Sequence, residues 1–99
     1  MRGKQLLGAL AALLLNASPT LAMPDTEFAC QVQTLNVRLG VVFVQAESAE
    51  VAAALAPAKP AITVDGGKAG VQSVLTCIRF PGQVFPDKQF HAFVSKLPR

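Results

Sequence analysis

Two cysteines, one histidine and six carboxylates are the residues of this 99-residue chain whose chemistry could reach beyond packing. Cys30 and Cys77 stand 47 positions apart. Thiol redox catalysis normally places its pair in a CxxC turn, so that one sulfur resolves the other's mixed disulfide; this separation points instead to a structural bridge. Together with His91 the two cysteines still leave a tetrahedral metal set one ligand short, and no metal or other cofactor is expected. A general base needs an orienting acid and a nearby nucleophile. His91 adjoins Phe90 and lies off the apolar stripe of its segment, as a helix-flank residue does.

The acids Asp25, Glu27, Glu47, Glu50, Asp65 and Asp87 each fit a leader, cap or turn. Glu47 and Glu50 lie where a helix N-terminus favours negative charge, which is a simpler role than an acid/base pair. The run Asp65-Gly66-Gly67-Lys68-Ala69-Gly70 superficially resembles a phosphate cradle. That motif needs a glycine where Ile62 stands and a hydroxyl where Ala69 stands, so the run is expected to be a solvated turn. No enzymatic activity is expected from this inventory.

One segment has the character of a recognition surface. In Arg79, Phe80, Pro81, Gly82, Gln83, Val84, Phe85, Pro86 and Asp87, two phenylalanines alternate with prolines beside an arginine. A proline-stiffened loop loses little entropy on binding, and such side chains are common anchors. Arg79, Phe80, Pro81, Val84, Phe85 and Pro86 are therefore the candidate partner-binding residues. The competing expectation is that both rings close the core, because a small domain with six phenylalanines needs most of them inside.

The address of the chain lies in residues 1–22. Arg2 and Lys4 form a positive head, residues 6–15 an apolar segment, and residues 16–22 a helix-breaking tail ending in small residues, the pattern of a cleavable export signal. Ten apolar residues fall short of the roughly 20 that span a bilayer, so no stable membrane anchor is expected after cleavage. A lipoprotein is disfavoured, because Asp25 and Glu27 interrupt the approach to Cys30. Whether the signal is cleaved or retained stays open.

Cleavage leaves residues 23–99 with seven Lys and Arg against six Asp and Glu. These cations form no stripe, which argues against nucleic acid as a partner. A domain of this size has a modest core, and one disulfide formed in an oxidising compartment is its expected staple.

Periodicity then places the elements. Residues 28–35 alternate with Phe28, Cys30 and Val32 on one face, and after turn residues 36–40 a β-branched run at 41–46 completes an antiparallel hairpin. Ser48 is positioned to cap an alanine-rich helix at 49–56, which Pro57 and Pro60 end. Residues 61–64 form a short strand. Across 71–80, the β-rich composition favours another strand, yet Val71, Val74, Leu75 and Ile78 also fit a helical stripe, and the ambiguity stays open here. Asp87 caps a last helix with Phe90, Phe93, Val94 and Leu97 on its apolar face, before Pro98.

The expected architecture is a small single α+β domain of ββαββα order, with one mainly antiparallel sheet and one disulfide. The expected function is protein contact, as an accessory component of a bacterial envelope, secretion or conjugation assembly in the periplasm or outside the cell. A secreted inhibitor or antagonist of an enzyme is the alternative. In either case the expected partner is another envelope or extracellular protein.

Overall fold

In the computed structural model, residues 26–98 are described. The expected signal at 1–22 lies outside them. The elements run β1 (Thr26–Thr34), β2 (Leu39–Ala46), α1 (Ala49–Leu55) with a 3₁₀ turn (Ala56–Ala58), β3 (Ala61–Thr63), β4 (Lys68–Ala69), β5 (Val71–Arg79) and α2 (Lys88–Ser95). The sheet is antiparallel, with strand order β4-β3-β2-β1-β5. The expected sheet, both helices and the disulfide are present. The order differs by one element, because the short strand at 61–64 ends at Thr63 and turns back through the two residues of β4.

This topology forces the sheet to curl. β4 and β5 occupy opposite edges, yet Gly70 alone separates them in sequence. Ala69 and Val71 can lie at most about 7 Å apart, whereas the edges of a flat five-stranded sheet are roughly 19 Å apart. The edges therefore approach at the Gly70 end and leave a half-open barrel. Side chains crowd on its inner face: a Cβ on Gly40 would meet the Ile62 carbonyl oxygen at 3.0 Å and the Ala61 Cβ at 3.1 Å.

The inner face carries Phe28, Cys30, Val32, Val42, Val44 and Ala46, closed by Ala52 of α1 and Ala56 of the 3₁₀ turn. The outer face presents Ala29, Val41 and Ile78 to Phe85, Phe90 and Val94 of the last segment. Both helices start where expected. The Ser48 hydroxyl accepts from the Val51 N–H at 3.2 Å, and the Asp87 carboxylate accepts from the Gln89 and Phe90 N–H groups. Each capping bond satisfies backbone donors that a helix start leaves open.

Residues 71–79 form a strand, and its pairing explains half of the helix-like stripe, Val71 and Val74, whereas Leu75 is exposed and Ile78 packs on the outer face. Along β1 the partners Thr34, Val32 and Cys30 step by two, while opposite them Val71, Val74 and Cys77 step by three. Two register shifts, which leave Gln72 and Leu75 as extra residues, stretch the period of two towards that of a helix. Val71, Val74 and Cys77 consequently share the inner face. Cys30 and Cys77 stand opposite each other and are disulfide-bonded, the bridge tying edge strand β5 to β1.

The β1–β2 and β3–β4 turns repeat one design. In each, a buried threonine hydroxyl accepts a backbone N–H four residues on, from Arg38 to Thr34 and from Gly67 to Thr63. The third residue after each threonine takes a positive φ, 66° at Val37 and 95° at Gly66. Glycine adopts that conformation freely, whereas a β-branched valine is strained in it. The Thr63 hydroxyl donates to Asp65, whose carboxyl it holds below the usual carboxylate range, helped by the Gly67 N–H and by Arg38. The Arg38–Asp65 ion pair, at 3.0 Å, joins the two exposed turn tips.

Two outcomes test this architecture. Gly40→Ala should cost about 1–3 kcal/mol from overpacking against backbone, while Gly70→Ala should cost less, because its Cβ would meet only the end of the exposed Leu35 side chain. Urea unfolding of the two variants decides between them. Reduction should remove about 4 kcal/mol by the loop-entropy relation for a 47-residue separation; a melting temperature indifferent to reductant would deny the bridge that role.

Candidate functional site

The segment from Arg79 to Asp87 leaves β5 and crosses to α2, and bonds along its length fix its backbone. Backbone groups alternate in direction along a strand, so where the Phe80 N–H donates to Glu27 O of β1, those of Arg79 face away from the sheet. Gln83 fills that position. Its side-chain oxygen accepts from the Arg79 N–H at 2.7 Å, and its own N–H donates to Arg79 O at 3.0 Å. Gln83 thus takes the place of a neighbouring strand at the end of β5. Between them lie the cis Phe80–Pro81 peptide and Gly82, whose φ of +137° suits glycine.

The far end of the segment is held from beneath. The Phe85 N–H donates to Nδ1 of His91 at 3.3 Å. The Phe85 ring meets Phe90 edge-on at 4.9 Å and lies 6.0 Å from the His91 ring. Phe80, half-buried, contacts both Phe43 at 6.1 Å and His91 at 5.7 Å. His91 is therefore more than a helix-flank residue: from α2 it braces both ends of the loop.

Of the candidate partner-binding residues, Phe85 is a core residue, only 1% exposed, and Phe80 is partly covered. A domain this small uses its largest side chains to fill the space between sheet and helix. Arg79, Pro81, Val84 and Pro86 remain at the surface, with Val84 65% exposed. The braces Gln83 and His91 carry no sequence signal as a pair. Their partners, the Arg79 backbone and the Phe85 N–H, are not encoded by side-chain type.

Elsewhere three of the acids stand in structural positions. Asp65 lies in the β3–β4 turn, Glu50 in the first turn of α1 and Asp87 at the cap of α2. No group of three His, Cys, Asp or Glu able to hold a metal occurs among the described residues. None of their helices is long and apolar enough to cross a membrane.

Two further surfaces went unseen in the sequence. The β1–β2 tip exposes Leu35 and Val37, 68% and 78% accessible. A cleft of about 500 Å³ opens between β2 and the 3₁₀ turn, lined by Glu27, Phe43, Gln45, Leu55 and Lys59 among others. No protein-family model matches the chain, and no curated protein or solved structure matches it significantly.

The His91 brace is testable. His91→Ala leaves the Phe85 N–H without its acceptor and should cost about 1–2 kcal/mol, with faster amide exchange at Phe85. An unchanged urea midpoint together with unchanged exchange would show the brace to be idle.

Proposed function

We propose that the protein acts by binding another protein, as an accessory component of a bacterial envelope, secretion or conjugation assembly, and that Arg79, Pro81, Val84 and Pro86 make the contact. The observation that carries this is Val84. An apolar side chain 65% exposed sits on a segment whose backbone is already held by Gln83 and His91, so a partner gains apolar contact while ordering little. Placement in the periplasm or outside the cell draws on the export pattern of residues 1–22. The Cys30–Cys77 bridge is compatible with it.

The same projecting, braced Val84 favours the second reading, a secreted inhibitor that inserts this loop into an enzyme's cleft. The identity of the partner separates the two. A photo-crosslinker at position 84, used in intact cells, should capture one protein at high yield, and Val84→Asp in a chain crosslinked from position 81 should abolish the capture. Co-fractionation with a large envelope complex supports the assembly role, and slowing of one soluble enzyme supports inhibition. Equal capture from position 37, on the β1–β2 tip, would sink the assignment to this loop.

A further inference from the structure

Of the three aspartates and two asparagines in the chain, only Asp65 precedes a glycine. That order matters because the carbonyl carbon of such a side chain can be attacked by the backbone nitrogen of the next residue. A Cβ on that residue obstructs the approach, and glycine has none. Asn36, by contrast, precedes the β-branched Val37. The Asp65–Gly66 bond lies in the β3–β4 turn, where the Asp65 side chain is half-exposed and a Cβ built on Gly66 would meet nothing within 4 Å. Water reaches this bond freely, yet both groups that the attack needs are engaged. One oxygen of the carboxylate accepts from the Thr63 hydroxyl and, at 3.4 Å, from the Gly67 N–H, while the other faces Nε of Arg38 at 3.0 Å. The Gly66 N–H donates to Thr63 O at 2.8 Å. Thr63 is buried, and its hydroxyl accepts from the Gly67 N–H at 3.0 Å, so the cradle is anchored in the sheet.

We propose that Asp65–Gly66 is a latent site of isoaspartate formation, and that Thr63 and Arg38 are the residues that hold it shut. The reaction is a cyclisation with loss of water. The Gly66 nitrogen forms a bond to Cγ of Asp65, the bond from Cγ to the carboxyl hydroxyl breaks, and that hydroxyl departs as water with the amide proton. Water then opens the succinimide ring. Attack at Cγ restores aspartate, whereas attack at the main-chain carbonyl carbon leaves the chain running through Cβ and Cγ; neither step oxidises or reduces anything. Only the protonated carboxyl has a hydroxyl to lose, so whatever favours the carboxylate slows the reaction in proportion. The Thr63 hydroxyl above all, then the Gly67 N–H and Arg38, holds the Asp65 carboxyl below the usual carboxylate range. The Thr63 carbonyl meanwhile retains the proton that the Gly66 nitrogen must give up. The product inserts one carbon into the main chain. In a turn where the Thr63 N–H meets Gly67 O at 2.8 Å and Ile62 pairs with Lys68, that insertion displaces the β3–β4 pairing.

The test stores the disulfide-bonded protein at physiological temperature and neutral pH beside the same chain reduced in guanidinium chloride. Isoaspartate is then mapped by mass spectrometry with electron-transfer fragmentation, which distinguishes the two linkages. In the native protein the lesion should appear at residue 65 before any other position, and at least tenfold more slowly than in the unfolded chain. Thr63→Val keeps the shape of the side chain without its hydroxyl and should raise the native rate several-fold. Arg38→Ala, at an exposed position, should raise it by a smaller factor, and it decides the matter if the urea midpoint shows Thr63→Val to be poorly folded. Protein carrying the lesion should exchange its Thr63 amide faster than fresh protein. A native rate equal to that of the unfolded chain, earlier isomerisation at another residue, or an Arg38→Ala rate no faster than the native one overturns the proposal, as does a well-folded Thr63→Val that isomerises no faster.

Discussion

The single-residue step through Gly70 is the constraint on which the rest of the molecule depends. Because β4 and β5 must lie at opposite edges and yet almost touch, the sheet curls, and its inner face becomes narrow enough for glycine at 40 and for valines and alanines around it. Curling also separates the work of the two helices. α1, with the 3₁₀ turn, closes the inner face, while α2 covers the outer one with Phe90 and Val94. At the other end of the sheet nothing forces the edges together, and β3 stops short of the length of β2. The cleft beside Gln45 is the remainder of an incomplete closure.

Much of this was legible wherever a side chain faces one consistent environment. Phe28, Cys30 and Val32 alternate because β1 is regular on its inner side, and Ser48 and Asp87 mark helix starts because capping is a local act of a residue on its own neighbours. The α2 stripe was legible for the same reason: Phe90 and Val94 pack on one sheet face. Residues 71–79 were ambiguous because two extra residues break the period of two, and nothing local in Gln72 or Leu75 announces a register shift. β4 escaped notice because two residues carry no period at all. The curl was hidden too, since it follows from which strands pair, a long-range fact.

The candidate site divides along the same line. That residues 79–86 form a proline-stiffened segment could be read from their types. Which side of each ring faces solvent could not, and Phe85 proves to be core while Val84 projects. The braces act through backbone atoms: Gln83 on Arg79, and His91 on the Phe85 N–H. Side-chain chemistry visible in a sequence says little about bonds whose other half is main chain. The cleft beside β2 is invisible for the same reason, since it depends on where β3 begins.

The two threonine-anchored turns give the molecule a timetable. Each is satisfied by residues within four positions of its threonine, and the local β1–β2 hairpin can close within microseconds, as short hairpins do. β1 meets β5 only across a separation of 47 residues at the cysteines, a slow and non-local encounter. Pairing of β1 with β5 sets Cys30 and Cys77 opposite each other, so closure of that ladder and formation of the bridge favour one another.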